Sequence, residues 1–377
     1  MKKIIYALFL TSFLGVATAQ TCSLDSIVAL SSDLIETSGL IYFDGKLVTH
    51  NDSGDNPNLY EINTADGTVT RTVTISNATN IDWEDIAQDD DYIYIGDFGN
   101  NNGTRGDLII YVISKADFNS QTSVTADSIE FQYAEQIDFT SHPKDTDFDC
   151  EAMVVVGDSI LLFTKNWVND KTNLYKLPKT AGFYTVSISD SLNAQGTVTG
   201  ATYNTEKNTI FLVGYQSASP FMWELAQFSG YDAFSGTNSR CGLVQPDGTS
   251  IQIEAITSIG NNEYYVSSED FNYGTFHLPS CLSIFTKEYT SIVDPIESNL
   301  IVYPNPANNY LNIELSTKEM ISNVSLKITT ILGVSVYEKT NFDTVKNKID
   351  ISNLAKGTYY ISITNNEKMS TLSFIKN

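Results

Sequence analysis

The chain has 377 residues, and its 45 aspartate and glutamate residues against 22 lysine and arginine residues give a formal net charge of −23. Residues 21–299 hold 12 basic and 39 acidic residues, whereas residues 300–377 hold 8 and 6. This imbalance argues against nucleic acid or anionic lipid as a partner of the long acidic part and favours cations or simple solubility. It also predicts two different domains.

The N-terminus has the organisation of an export signal. Two lysines precede the apolar run 4–16, and the small-residue sequence Ala-Thr-Ala follows at 17–19. We expect cleavage after Ala19, which makes residues 1–19 a signal peptide. No later stretch approaches the roughly 20 apolar residues of a membrane helix, so no transmembrane segment is expected in the mature chain.

A short phrase then recurs about every 50 residues, a period typical of propellers. It stands at 36–40 (ETSGL), 83–87 (WEDIA), 150–153 (CEAM), 199–202 (TGAT) and 253–256 (IEAI). Each copy is followed, after a turn, by an apolar strand. The repeat predicts a five-bladed β-propeller over residues 20–291, or six blades if the stretch 217–250 contains two short units.

Runs of Val, Ile, Tyr, Phe and Thr between turn residues predict an all-β chain. The predicted strands of the five units are 39–43, 46–50, 58–63 and 68–75; 86–88, 92–97, 108–114 and 128–136; 152–156, 159–165, 173–177 and 184–190; 200–204, 209–216, 221–228 and a weakly marked strand before Val244; and 254–259, 263–268 and 282–289. The fifth unit lacks a fourth strand. The unassigned strand 26–30 would supply it, because closing the ring removes an exposed edge.

Residues 292–299 carry a proline and little apolar pattern and are predicted to be a linker. Beyond the linker, alternating apolar strands over fewer than 80 residues predict a small β-sandwich. Its predicted strands are 300–303, 310–315, 325–330, 335–338, 348–351, 357–364 and 369–375.

The C-terminal part carries several specific motifs, at 302–307 (VYPNPA), 311–313 (LNI), 331–333 (ILG), 351–359 (ISNLAKGTY) and 374–377 (FIKN). With these motifs, residues 300–377 resemble the C-terminal sorting domain of type IX secretion cargo. The resemblance implies a partner, the type IX secretion machinery, and passage across the outer membrane. The protein would then be secreted or displayed on the cell surface.

The propeller also carries recognisable phrases, at 36–40 (ETSGL), 50–54 (HNDSG), 82–87 (DWEDIA), 96–101 (GDFGNN) and 163–167 (FTKNW). They resemble a group of exported bacterial propeller proteins and, more distantly, the esterase-like phytase and gluconolactonase propellers. This resemblance covers roughly residues 30–290. It implies the fold and carries no catalytic assignment.

Carboxylates stand in four of the five repeated phrases. These residues are Glu36, Glu84, Glu151 and Glu254, with Gly200 at the fifth place. The innermost strands of a propeller line its channel, so equivalent ends of these strands converge on the axis. Carboxylates brought together raise their pKa values, pair with bases or bind a cation, and oxygen ligands suit Ca²⁺. We expect these four glutamates to bind Ca²⁺ or to hold the ring together through backbone hydrogen bonds.

The loops that follow the second strands should gather on the face where the inner strands begin. The ligand-binding candidates there are Asp52, Asp97, Arg105, Lys165 and Glu269. Lys165 and Arg105 are basic residues in an acidic set. Such a base could bind a phosphate or carboxylate, or form a structural ion pair.

The chain has three histidines and lacks a Gly-x-Ser-x-Gly elbow, a His-Glu-x-x-His motif and a glycine-rich phosphate loop. Serine hydrolases, zinc proteases and nucleotide-dependent enzymes are therefore disfavoured. Residues 145–149 (DTDFD) weakly resemble a calcium loop but lack the glycine and distal glutamate of an EF-hand, so a solvated acidic turn is the favoured interpretation. The four cysteines, Cys22, Cys150, Cys241 and Cys281, allow three disulfide pairings in an exported protein.

The leading hypothesis is an exported propeller whose acidic funnel binds a divalent cation and, through it, a small anionic or sugar-like ligand. One alternative is a metal-assisted hydrolase of phosphoesters or lactones, with Glu84, Asp85 or Glu151 as the base. Another is an adhesive or structural surface protein that uses the rim of the propeller. The sequence leaves open whether the protein is an enzyme.

Overall fold

The structure, a computed structural model, describes residues 21–217, 219–245, 251–273, 276–287, 294–295, 298–317, 324–330, 334–340, 347–365 and 368–377. These residues form two compact units, one ending at Lys287 and one lying beyond it. The predicted signal peptide, residues 1–19, lies outside the described residues. Among the helices in the described ranges, none is long and apolar enough to cross a bilayer.

The first unit consists almost entirely of strands. In chain order they are β1 (Thr21–Ser23), β2 (Asp25–Ala29), β3 (Thr37–Phe43), β4 (Lys46–Asn51), β5 (Asn58–Ile62), β6 (Val69–Ile75), β7 (Trp83–Gln88), β8 (Tyr92–Asp97), β9 (Leu108–Ser114), β10 (Ser123–Val124), β11 (Asp127–Tyr133), β12 (Cys150–Val156), β13 (Ser159–Thr164), β14 (Thr172–Pro178), β15 (Gly182–Val186), β16 (Asp190–Leu192), β17 (Thr197–Asn204), β18 (Thr209–Gln216), β19 (Ser219–Ala226), β20 (Thr237–Val244), β21 (Ile253–Gly260), β22 (Glu263–Ser268), β23 (Phe271–Tyr273), β24 (Phe276–Leu278) and β25 (Cys281–Thr286). A 3₁₀ turn, Ser32–Leu34, and one short helix, α1 (Lys115–Ser120), interrupt them.

Five sheets of four or five strands radiate from a ring of innermost strands. From the inside outward, sheet 1 is β3-β4-β5-β6-β10, sheet 2 is β7-β8-β9-β11-β15, sheet 3 is β12-β13-β14-β16, sheet 4 is β17-β18-β19-β20-β1 and sheet 5 is β21-β22-β25-β2. Each innermost strand contacts the next one along the chain, and β21 contacts β3. The predicted all-β propeller is confirmed. Strands β19 and β20, from the stretch 217–250, both belong to sheet 4.

One buried apolar cluster lies between each pair of neighbouring sheets. Between sheets 1 and 2, for example, Ile41 and Val48 pack against Trp83 and Ile86. The inner strands have neighbouring sheets on both faces, so nearly all of their residues are buried. In β12 every residue is buried. The core of the first unit is therefore a ring of five interfaces.

The N-terminal segment closes the ring. Strand β2 pairs antiparallel with β25 and completes sheet 5, which confirms the prediction for strand 26–30. Strand β1, which the sequence did not reveal, pairs parallel with β20 of sheet 4. Cys22 in β1 forms a disulfide with Cys241 in β20, and Cys150 and Cys281 are free thiols.

The outer edges of sheets 1, 2 and 4 are covered by short parallel strands from other parts of the chain. The prediction that residues 184–190 form the fourth strand of the third sheet is wrong. The first part of this segment belongs to β15, which pairs with β11 of sheet 2, and β16 at Asp190–Leu192 completes sheet 3. Covering an edge strand protects its unpaired backbone groups from edge-to-edge association.

The second unit is a β-sandwich, as predicted. Its strands are β26 (Asp294–Pro295), β27 (Ser298–Tyr303), β28 (Tyr310–Thr317), β29 (Val324–Thr330), β30 (Ser335–Lys339), β31 (Asn347–Asp350), β32 (Gly357–Asn365) and β33 (Lys368–Lys376). They form the sheets β26-β33-β32-β29-β30 and β27-β28-β31 around an apolar core that includes Leu311, Ile328 and Phe374. The described residues of the predicted linker, 294–295 and 298–299, belong to strands of this unit.

Candidate functional site

Each innermost strand contains a β-bulge near its first residues. The extra residue in each strand is Gly39, Glu84, Glu151, Thr199 or Glu254. A bulge puts two residues opposite one and redirects a side chain. Three carboxylates from three sheets are redirected in this way.

The pairing of the first two strands in each sheet shows that the repeated phrases are not aligned as predicted. Gly39, which has no side chain and a φ of 35°, holds the bulge position in sheet 1. Glu36 precedes strand β3 and is exposed. In sheet 4 the bulge residue is Thr199, not the predicted Gly200, and its hydroxyl donates to the Ile253 carbonyl of sheet 5 at 2.6 Å.

The bulge carboxylates meet in a cavity of about 170 Å³, here called the axial cavity. The described residues lining it include six carboxylates, two lysines and two aromatic side chains. They are Glu36, Asp52, Glu84, Glu151, Glu254 and Glu269, with Lys144, Lys165, Trp167 and Tyr215. The structure therefore brings together the four predicted metal ligands and three of the five predicted ligand-binding residues.

Glu84 is at the centre of the carboxylate cluster. Carboxylate oxygens of Asp52, Asp82 and Glu84 lie within 4.8 Å of one another, and so do those of Glu84, Asp149 and Glu151. Glu84 is 5% exposed, and no described residue donates a hydrogen bond to its carboxylate. A buried carboxylate without a donor is costly, so this arrangement calls for a cation or a proton.

Asp82 was not among the candidates from the sequence, and Asp149 was considered only as part of the weak calcium-loop resemblance at 145–149. Asp82 precedes the second repeated phrase, and Asp149 ends the alternating run at 145–149. The carboxylate of Asp149 accepts hydrogen bonds from the Asn100 backbone at 2.6 Å and from Nε1 of Trp167 at 2.7 Å. A search for acids adjacent to each repeat, rather than within it, would have found both.

Asp97 and Arg105 support the cavity from behind and do not line it. The buried Asp97 forms an ion pair with the partly buried Arg105 at 2.9 Å, and Asp97 accepts a hydrogen bond from the Asp82 backbone at 3.1 Å. Gly99 is needed nearby, because a Cβ there would lie 2.2 Å from Oε1 of Glu84 and 2.5 Å from Oδ2 of Asp82. The motif 96–101 thus positions the carboxylates of the preceding strand.

Asp85, the neighbour of Glu84, joins three sheets through its carboxylate. It accepts backbone hydrogen bonds from Ile86 at 2.8 Å, Met153 at 2.7 Å and Ala201 at 3.3 Å. These donors belong to strands β7, β12 and β17. The carboxylate is fully used in holding the inner strands together and does not line the axial cavity.

We expect Asp85→Ala to lower the free energy of unfolding by about 3 kcal/mol, since buried donors left unpaired cost roughly 1–3 kcal/mol each and relief of the buried charge offsets part of the loss. Urea unfolding followed by circular dichroism measures this change. Asp90→Ala, at an exposed residue, is the control and should stay within about 0.5 kcal/mol. Equal stability of the two variants would contradict the bridging role of Asp85.

Burial and mutual repulsion set the protonation of the cavity. Burial raises the pKa of Asp52 to about 6 and the pKa values of Asp82 and Glu269 to about 7. It also raises the pKa values of Glu84 and Glu254 well above their usual range. The carboxylate of Glu36 contributes to the raised pKa of Glu269, and the carboxylate of Glu269 contributes to the raised pKa of Glu254. Paired carboxyls of this kind share protons when no cation neutralises them.

Stability without metal should therefore fall as the pH rises from 6.5 to 8, by roughly 2 kcal/mol. The folded pKa values of these acids exceed the unfolded ones, so their stabilising protons are lost in this window. His50, whose burial lowers its pKa to about 4, acts in the opposite sense, but only below pH 6.5. Thermal unfolding in EDTA at both pH values measures the effect, and a melting temperature that rises with pH would contradict it.

A second cavity, of about 550 Å³, lies at the other ends of the inner strands. Its walls include apolar residues such as Phe43 and Met153, and its rim includes Asp89, Lys115 and Lys179. Lys179 is paired with Asp89 at 2.7 Å. Within the described ranges, groups of three acids close enough to share an ion occur at the axial cavity and not here, so the axial cavity is the candidate site.

Residues 301–377 match the family model of the secretion system C-terminal sorting domain. No protein with a curated description matches the chain.

Solved structures are similar at low sequence identity. PorZ, an essential surface component of the type IX secretion system of Porphyromonas gingivalis, is 12% identical over 90% of this chain, with a TM-score of 0.37, and the chain spans 45% of the length of PorZ. A PQQ-bound aldose sugar dehydrogenase from Streptomyces coelicolor is 8% identical, with 70% of this chain and 97% of that chain covered and a TM-score of 0.39. A protein of unknown function from Dyadobacter fermentans is 11% identical, with coverages of 70% and 98% and a TM-score of 0.39.

Proposed function

We propose that the exported propeller binds a divalent cation in its axial cavity. Residues 301–377 are the type IX secretion sorting domain that takes the chain to the cell surface or the extracellular space. The sequence-based prediction of this domain and of its destination is confirmed. The sorting domain also implies contact with the secretion machinery. The cation is the part of the function that rests on the geometry of the propeller.

The observation that carries this proposal is the carboxylate of Glu84, a residue that is 5% exposed and accepts no side-chain hydrogen bond from any described residue. It is shared by the two groups of three acids, one with Asp52 and Asp82 and one with Asp149 and Glu151. All these ligands are carboxylate oxygens, which suit a hard cation such as Ca²⁺ with its six to eight oxygen ligands. The proposed ligands thus differ from the predicted ones: Glu84 and Glu151 are retained, while Asp52, Asp82 and Asp149 replace Glu36 and Glu254.

The size and charge of the cavity limit any further ligand. Its volume of about 170 Å³ is below the roughly 300–1,000 Å³ of sites that enclose drug-sized ligands, so it has room for an ion, water and one small group. Six lining carboxylates against two lysines oppose an anion unless the ion neutralises them. A sugar-like molecule, whose hydroxyl groups donate to carboxylates and coordinate the ion, meets this cavity with less repulsion.

Isothermal titration calorimetry of the mature full-length protein, freed of metal with EDTA, tests the proposal. We expect Ca²⁺ to bind with a stoichiometry near one, and to raise the melting temperature because it binds the folded state alone. Mg²⁺ should bind more weakly, since it requires near-ideal octahedral geometry. An absence of heat, together with a melting temperature that neither EDTA nor Ca²⁺ changes, would overturn the proposal.

A further inference from the structure

Lys165 is the internal counter-ion of Glu151. Its Nζ lies 3.0 Å from Oε1 of Glu151, and the two side chains are 8% and 6% exposed. Burial by itself would lower the pKa of Lys165, but Glu151 and neighbouring acids raise it. The ammonium group is therefore charged and fixed in the axial cavity.

The carboxylate of Glu151 cannot be both the ion-pair partner of Lys165 and a ligand of a metal ion without bringing the two cations close together. It belongs to the group with Glu84 and Asp149, whose oxygens lie within 4.8 Å of one another. A divalent ion held by this group would stand a few ångströms from the ammonium of Lys165. Like charges at such separations repel strongly where water is excluded.

Lys165 shares the axial cavity with a further carboxylate, that of Glu254. Besides Glu151, the groups that raise the pKa of Lys165 are Tyr215, Glu254 and Asp149. Asp149 belongs to the group that would hold the ion, whereas Glu254 comes from sheet 5 and is outside both groups of three acids. Of these three carboxylates, Glu254 is thus the one that is not a proposed ligand of the ion.

We propose that cation binding is an exchange, in which the ion takes Glu84, Asp149 and Glu151 and Lys165 turns from Glu151 to Glu254. This inference rests on the proposed cation site, for which Glu84, a 5% exposed residue whose carboxylate has no hydrogen-bond donor among the described residues, is the independent indication. In the metal-free protein the lysine stabilises the cavity and lowers its affinity for the ion. The bound ion converts Lys165 from a partner of sheet 3 into a link between sheets 3 and 5.

The fluorescence of Trp167 should be sensitive to this exchange. The Lys165 ammonium lies 4.8 Å from the centre of its ring, and its Nε1 donates to Asp149. The other two tryptophans, Trp83 and Trp223, are buried in clusters between sheets. Ca²⁺ should therefore change the tryptophan fluorescence of the native protein, and the change should be absent in Trp167→Phe, for which calorimetry measures binding.

A double-mutant cycle separates an exchange from a fixed charge. Lys165→Met should bind Ca²⁺ about tenfold more tightly, and Glu254→Gln should weaken binding about tenfold only while Lys165 is present. Lys176→Met, which removes a lysine that lies over the ring of Tyr231 outside the cavity, is the matched control and should leave affinity unchanged.

The outcomes are distinct. Effects of the two substitutions that simply add, or a fluorescence change in Lys165→Met equal to that of the native protein, would overturn the exchange while leaving the cation site intact. An absence of Ca²⁺ binding in the native protein and in Lys165→Met would overturn both. A loss of the Glu254→Gln effect in the Lys165→Met background supports the exchange.

Discussion

Replacing Glu84 with glutamine is expected to weaken Ca²⁺ binding by about 100-fold or more and to stabilise the metal-free protein. The first effect follows because Glu84 is the acid shared by both groups of three; loss of a residue that merely orients a ligand already costs about 10- to 100-fold in affinity. The second effect follows because glutamine has a similar shape but no buried charge. We expect a gain of about 2 kcal/mol at pH 8.

Calorimetry and urea unfolding in EDTA measure the two effects of Glu84→Gln on the same preparation. Glu130→Gln, at an exposed residue of β11, is the matched control and should change neither quantity. The opposite signs are diagnostic, because a residue needed only for folding would lose stability along with binding. A variant that is less stable than the native protein in EDTA would contradict the assignment of Glu84 as an uncompensated buried charge.

Loss of the disulfide is expected to lower the stability of the propeller strongly. Cys22 and Cys241 are separated by 219 residues, and in the chain-entropy model a loop of about 100 residues or more gives roughly 5 kcal/mol of stabilisation. Cys22→Ser should therefore lower the free energy of unfolding by up to about 5 kcal/mol. At roughly 2–4 °C per kcal/mol, the melting temperature should fall by about 10 °C or more.

The position of the disulfide explains this sensitivity. It ties β1 to sheet 4, and β2, which follows at once, completes sheet 5. Leu24, between the two strands, is fully buried with residues of both sheets. A chain without the bond would lose the restraint at the place where the ring closes.

Calorimetric unfolding of the native protein, Cys22→Ser and Cys241→Ser measures the effect. The two variants should melt alike, since each removes the same bond. Cys281→Ser replaces a free, partly exposed thiol and should change stability by less than about 1 kcal/mol. If Cys22→Ser melts at the same temperature as the native protein, ring closure does not depend on the disulfide.

The propeller, the sorting domain and the strand that closes the ring could be predicted from the sequence alone. The repeated phrase and the apolar strands that follow it predict a propeller, because side-chain periodicity and turn residues are local properties of the chain. The sorting domain was recognisable for the same reason, since its motifs are continuous segments such as 302–307. The N-terminal closing strand 26–30 followed from the need to fill one unpaired edge.

Other features were decided only by the tertiary structure. The strand pairing, not the repeated phrase, makes Gly39 rather than Glu36 the bulge residue of sheet 1. The same pairing puts Asp97 and Arg105 behind the axial cavity, adds Asp82 and Asp149 to the group around Glu84, and joins Cys22 to Cys241. A bulge, a shared carboxylate group and a disulfide each depend on residues far apart in the chain, whose distances are set by the packing of whole sheets.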